Sequence, residues 1–145
     1  MKRLLFGPLN TGSRDVDCGL LILRVIGGMS LALGHGIGKI PPSEGFTARI
    51  SGMGFALPEL FAWVVAFTEF AGGIALALGL LTRPMAAVIA INFLVVTFIA
   101  HAGDPFGDRE KPILFLMLGL TLALTGAGRF SLDSLIARRG ARTET

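Results

Sequence analysis

Six polar side chains stand inside stretches otherwise suited to lipid. Arg24, His35 and Lys39 interrupt the run "LRVIGGMSLALGHGIGK", Glu69 sits in "AFTEFAGG", and Asn92 and His101 belong to "AINFLVVTFIAH". Arginine, lysine and histidine donate hydrogen bonds to an oxygen that gains charge. Glutamate and histidine hold and release protons. Together they suit a proton path or a quinone head-group site, the usual reasons for ionisable groups at membrane depth.

Position narrows what each can do. At ~100° per residue, Arg24, His35 and Lys39 fall at roughly 0°, 20° and 60° around one helix, with Gly28 between them. That stripe must face protein or water, because a cation at mid-membrane costs about 2.5–3.5 kcal/mol to insert. Large aliphatic residues return only about 0.3–0.6 kcal/mol each. Arg24 lies roughly 9 Å inside the span. His35 and Lys39 belong near the opposite surface, where Lys39 reads as an anchor that snorkels to water.

Glu69, near the middle of the second span, must be protonated, hydrated or paired. Arg24 is the only basic group deep in the apolar stretches, so the sequence predicts an Arg24–Glu69 interaction, direct or through water. It serves either as a structural clasp or as a proton or quinone site. His35 and His101 fall at similar depth on different helices. Two histidines without a third ligand or a haem motif read as hydrogen-bonding groups at an aqueous mouth, and no metal site is assigned. Glu110 or Lys111 could turn toward them.

Composition sets the elements that carry these groups. The 145 residues are 52% apolar and only 16% charged, against about a quarter charged in soluble domains. Four windows enclose the deficit: Asp17 to Lys39, Glu59 to Arg83, Arg83 to Asp104, and Lys111 to Arg129. Each spans roughly 17 to 23 residues, enough to cross ~30 Å of hydrocarbon. A soluble bundle would keep a polar face on each helix, and these show almost none. The expected fold is all-α: an integral membrane four-helix bundle with a short interfacial helix in the first outer loop.

That helix would be capped by Ser43 and run to about Gly52, with Phe46, Ile50 and Met53 on one face. The "LLTRP" link makes spans two and three antiparallel neighbours. Small residues at four-residue spacing would let helices approach: Ser30, Gly34 and Gly38; Ala71, Ala75 and Gly79; Gly119, Ala123 and Ala127. Cys18 alone permits no internal disulfide, and it reads as a small packing residue.

Eight Lys and Arg residues fall on the side of the termini and four on the other, which places both termini in the cytoplasm. The pI near 9.8 reflects this bias and the basic tail "ARRGAR" beside an anionic leaflet, not a nucleic-acid partner. Residues 1–17 form a cytoplasmic segment, 18–128 the helical domain and 129–145 a cytoplasmic tail. The N-terminus lacks a signal-peptide core, so the first span acts as its own targeting signal.

The order of the motifs adds a resemblance. "LRVIGGMSLALGHGIGKI", then "SGMGFALPELFAWVVAFTEFAGGIALALGLLTRPMAAV", then "GAGRFSLD" resembles the DoxX family of small membrane proteins over roughly residues 18–136. The resemblance implies a four-helix membrane fold. It also implies kinship with the quinone-reducing subunit of thiosulfate:quinone oxidoreductase and with thiol-oxidant complexes. It carries recurrent positions onto Arg24, His35, Lys39 and Glu69. One cysteine cannot run dithiol chemistry alone, so a soluble or membrane oxidoreductase partner is expected.

The function expected is a membrane subunit of a quinone- or thiol/sulfur-linked redox system in the bacterial inner membrane, with membrane lipid around it and a homo-oligomer allowed. The alternative is a non-catalytic scaffold or small-solute carrier. No inverted repeat favours the carrier.

Overall fold

The computed structural model describes residues 13–142, with side chains to residue 139. The basic start expected at Lys2 and Arg3 lies outside them. Helix α1, Arg14–Leu31, continues through a wide π-helical turn, Ala32–Gly36, and a tight 3-10 turn, Ile37–Lys39. Helix α2, Glu44–Gly52, follows, with the Ser43 hydroxyl accepting from Phe46 N at 3.2 Å as its cap. Helix α3 is Pro58–Leu78, opened by its proline and closed by Gly79 in the left-handed region. Helix α4, Thr82–Val95, ends in a second π-helical stretch, Val96–Ala100. Helices α5, Phe106–Thr125, and α6, Leu132–Arg142, complete the chain.

Among the described residues the protein is all-helical, and three helices are long and apolar enough to cross a membrane: Arg14–Lys39, Pro58–Leu78 and Thr82–Ala100. The fourth long helix differs from expectation. Its helical turns begin at Phe106, ahead of the Lys111 that bounds the fourth window, and take in Asp108, Arg109 and Glu110. Its uncharged part, 112–125, covers only about 21 Å at ~1.5 Å per residue.

Helix α1 packs along α3, α3 along α4, and α4 along α5. The burial pattern is inverted relative to a soluble domain. Arg24, Glu69, Asp17 and Asp133 are buried, whereas Ile26, Ile91 and Leu124 are 63%, 65% and 74% exposed. Lipid is the solvent that makes this distribution favourable, since it wets apolar side chains and rejects charged ones. We therefore describe an all-α membrane protein. A core of Leu20, Leu31, Leu76, Ile89, Phe93, Leu116 and Leu122 fills the space between the helices.

Close helix approach depends on small residues, but not the rows expected on α1 and α3. A side chain at Gly34 or Gly38 would meet nothing within 4 Å, and Ala71 is exposed. The seam is instead Gly28, Ala32 and Gly36 against Gly73 and Ala77. A Cβ at Gly28 would lie 2.5 Å from Gly73 O and 2.8 Å from Ala77 N, and one at Gly73 would lie 2.6 Å from Gly28 O. On α5, Gly119 does pack as expected: its Cβ would lie 2.9 Å from both Ala86 O and Ala90 N.

Two smaller expectations also change. Ile50 of α2 is buried, and α2 contacts α3, so part of its apolar face meets protein. Cys18 is exposed and is not a packing residue within the chain.

Candidate functional site

The predicted Arg24–Glu69 pair does not form. Arg24 and Glu69 sit at different heights and take different partners. Arg24 lies at the end marked by the α3–α4 turn, where its guanidinium donates to Ala77 O in the last turn of α3 and to Phe130 O after α5. From Ala77 back to Glu69 is eight residues, ~12 Å along the helix.

Chain geometry explains why Arg24 goes where it does. The last carbonyls of a helix lack intrahelical donors and carry partial negative charge. A cation there is well placed. The opposite sign appears one turn on, where α4 begins at Leu81 and Thr82 with no side-chain cap of its own. Asp133 supplies the cap from afar: its two carboxylate oxygens accept from Leu81 N at 2.8 Å and Thr82 N at 2.9 Å.

Asp17 likewise accepts from Arg129 N at 3.0 Å, and Ser131 Oγ accepts from Ser134 N at 3.2 Å as α6 starts. The segment Gly126–Asp133 thus straps the turn to α1. Sequence reasoning passed over Asp17 and Asp133. Both are first-turn acids of their helices, and no local spacing ties Asp133 to the start of α4, which lies far away in sequence.

Replacing Arg24 by Met should therefore cost stability, about 3 kcal/mol, because two charge-assisted hydrogen bonds to backbone oxygens are lost together. Unfolding in a denaturing-detergent titration measures it. A loss below about 0.5 kcal/mol would show that the strap does not depend on Arg24.

Glu69 belongs to a second cluster, at the end where α2 lies. Its side chain is 1% exposed, and Lys39 Nζ donates to its two oxygens at 2.7 and 2.6 Å. Asn92 Nδ2 lies 3.5 Å from the same carboxylate. Lys39 was expected to snorkel to water. The 3-10 turn Ile37–Lys39 instead folds its stem over α3, where the ammonium also stands 5.3 Å from the Phe46 ring centre.

His35, inside the π-helical turn, directly precedes Gly36, where an added Cβ would stand 2.8 Å from the Glu69 carbonyl carbon. Its ring meets the Phe115 ring edge-on at 5.2 Å. Wide turns of this kind recur at functional sites because they re-aim a side chain.

His101 stands apart from this cluster: Nδ1 is 2.7 Å from Asp104 Oδ2, a local contact within the loop. Of the six candidates, then, the structure groups Glu69, Lys39, Asn92 and His35. It sends Arg24 to the strap and His101 to the loop. Beside the cluster, α1 and α5 leave a groove of about 510 Å³, apolar along most of its length, with His35 and Lys111 among its lining residues. A buried carboxylate, an ammonium, a carboxamide and an imidazole can together hold a polar head group and exchange a proton with it.

The DoxX family model matches residues 19–102. The chain is 31% identical over 125 residues to "Putative oxidoreductase CatD" of Bacillus subtilis, covering 86% of this chain and 91% of that protein. It is 32% identical over 130 residues to "Inner membrane protein YqjF" of Escherichia coli, covering 85% and 95%. To "Inner membrane protein YphA" of the same organism it is 28% identical over 123 residues, covering 79% and 88%. No solved structure matches the chain.

Proposed function

We propose, for a chain that belongs to the DoxX family, that it is a bacterial inner-membrane subunit of a quinone- or thiol/sulfur-linked redox system. Its head-group site would be Lys39, Glu69, Asn92 and His35. The relatives' names support the setting: two are named inner membrane proteins and one carries the name "Putative oxidoreductase".

The observation that carries the reading is the burial of Glu69. A carboxylate held away from solvent in a helix seam, paired with a half-buried lysine beside a histidine that opens on an apolar groove, is an expensive arrangement for mere packing.

A quinone bound there would take up electrons and protons. The chain's residues fit that need. Lys39 has three N–H donors and spends two on Glu69, leaving one for a carbonyl oxygen. His35 adds a ring donor, and Glu69 holds a proton-accepting group within reach of Lys39. Any dithiol step falls to a partner oxidoreductase, because Cys18 is the only cysteine.

In this reading α5 forms the fourth span, the charged turn at Asp108–Lys111 lies at the outer surface, and both termini face the cytoplasm. The Lys and Arg bias supports that orientation.

A second reading, a non-catalytic scaffold or small-solute carrier, draws on one feature: both Glu69 oxygens are already satisfied by Lys39. Mass spectrometry of protein purified in mild detergent separates the two. We expect about one quinone per chain, lost in His35→Ala with the protein still monodisperse. Wild-type protein free of quinone, together with unchanged thiol oxidation in a deletion strain, would favour the scaffold.

A further inference from the structure

We infer that α6 is an amphipathic helix that lies on the bilayer surface and binds the phosphates of anionic lipids. Leu132, Leu135 and Ile136 enter the upper acyl chains, and Arg138 and Arg139 meet the head groups. This contact is independent of the redox reading above.

The level of α6 in the membrane is set by its first turn. Asp133 caps α4 through Leu81 N and Thr82 N, and Asp133 N donates to Gly79 O at 2.9 Å. Those partners form the turn between Pro58–Leu78 and Thr82–Ala100, two helices long and apolar enough to cross a membrane. Where such helices end, hydrocarbon gives way to head groups. Helix α6 therefore starts at that boundary.

The same bonds fix its rotation. Asp133 and Ser134 are buried, and the Ser134 hydroxyl donates to Arg129 O at 2.6 Å. At ~100° per residue, Leu132, Leu135, Ile136 and Arg139 share an arc of about 100°, roughly opposite that anchored pair. The three apolar residues are exposed, as is Phe130 just before them. Among the described residues no other helix packs along α6. Such a face needs an apolar cover, and at this depth lipid supplies it.

Charge selects the lipid. Among the described residues, Arg14, Arg129, Arg138 and Arg139 are exposed at this end. Asp17 and Asp133 are buried and bonded, which leaves Asp15 as the exposed acid beside them. Arg139 stands inside the apolar arc, where its stem can lie on acyl chains while the guanidinium reaches a phosphate. A basic amphipathic helix at the interface is drawn to anionic lipid.

The test uses the full chain in nanodiscs. Trp63→Phe removes the single native tryptophan, and Ile136→Trp places one on α6. Lipids brominated near the top of their acyl chains quench a tryptophan that touches them. Half-maximal quenching is expected at about tenfold lower mole fraction of brominated phosphatidylglycerol than of brominated phosphatidylcholine, ~1.4 kcal/mol. Arg138→Gln combined with Arg139→Gln should make the two lipids equal while quenching persists.

Equal quenching by both lipids with the arginines in place would overturn the inference. So would an unquenched tryptophan. Water-like emission would leave α6 for a soluble partner, and shielding that rises with protein density would put a second copy on the face. Hydrogen exchange of the unaltered chain needs no variant to fold. Amides of residues 136–142 should exchange about tenfold more slowly in phosphatidylglycerol than in phosphatidylcholine discs, and equal rates would contradict the contact.

Discussion

Gly36→Ala is expected to prevent the chain from folding in detergent, while Gly34→Ala, two residues earlier, should change stability by less than about 0.5 kcal/mol. The added methyl is the same, and only its neighbours differ. At Gly36 a Cβ would stand 2.6 Å from Phe70 Cα and 2.8 Å from the Glu69 carbonyl carbon, with Phe70 N closer still. All three are backbone atoms of α3 and cannot rotate away.

The helices would have to separate. Because Glu69 is part of the contact, separation also draws it from Lys39. We expect a loss above about 4 kcal/mol, beyond the range of ordinary substitutions. At Gly34 nothing lies within 4 Å. Size-exclusion profiles and thermal unfolding of the two variants decide the matter. A monodisperse Gly36→Ala protein with the wild-type Tm would show that α1 and α3 do not meet there.

Lys39→Met should destabilise the protein by about 3 kcal/mol, the low end of the ~3–5 kcal/mol for breaking a buried ion pair. The asymmetry of burial sets the expectation. Glu69 is 1% exposed and loses its counter-charge, with Asn92 left as a hydrogen-bond donor at 3.5 Å, whereas the Lys39 side chain is 29% exposed. For the same reason Glu69→Gln should cost less, about 1–2 kcal/mol, because an orphaned Lys39 can swing its ammonium to the surface. Combining the two changes should recover most of the Lys39→Met loss. Denaturing-detergent titrations of the three variants measure this, and equal losses in both single variants would contradict the stated asymmetry.

How much of this could be read from residues alone varies with what holds each part. Helices 58–78 and 82–100 were legible because Glu59, Arg83 and Asp104 bound their apolar windows and the minimal "LLTRP" link separates them. The Ser43 cap and the Gly119 contact followed from local rules as well. The partner of Glu69 was not legible. A lysine at a helix end ordinarily goes to water, and only the turn at Ile37–Lys39 directs it inward.

Charge alone pairs Arg24 with Glu69. Its actual acceptors, Ala77 O and Phe130 O, are backbone oxygens that no residue pattern announces. On α1 two small-residue rows compete, because Ser30, Gly34 and Gly38 share the same spacing as Gly28, Ala32 and Gly36. Which row faces α3 depends on helix rotation, which spacing does not fix. The start of α5 moved because charged residues 108–111 continue a helix as readily as they end a loop.

Two double-mutant cycles on Glu69, one with Lys39 and one with Arg24, test the central claim that the buried ionisable groups sort into separate clusters at the two ends of the fold. The account predicts a coupling of about 1–3 kcal/mol between Lys39 and Glu69, and none beyond about 0.5 kcal/mol between Arg24 and Glu69. A strong coupling of Arg24 to Glu69, with Lys39 contributing nothing, would contradict it.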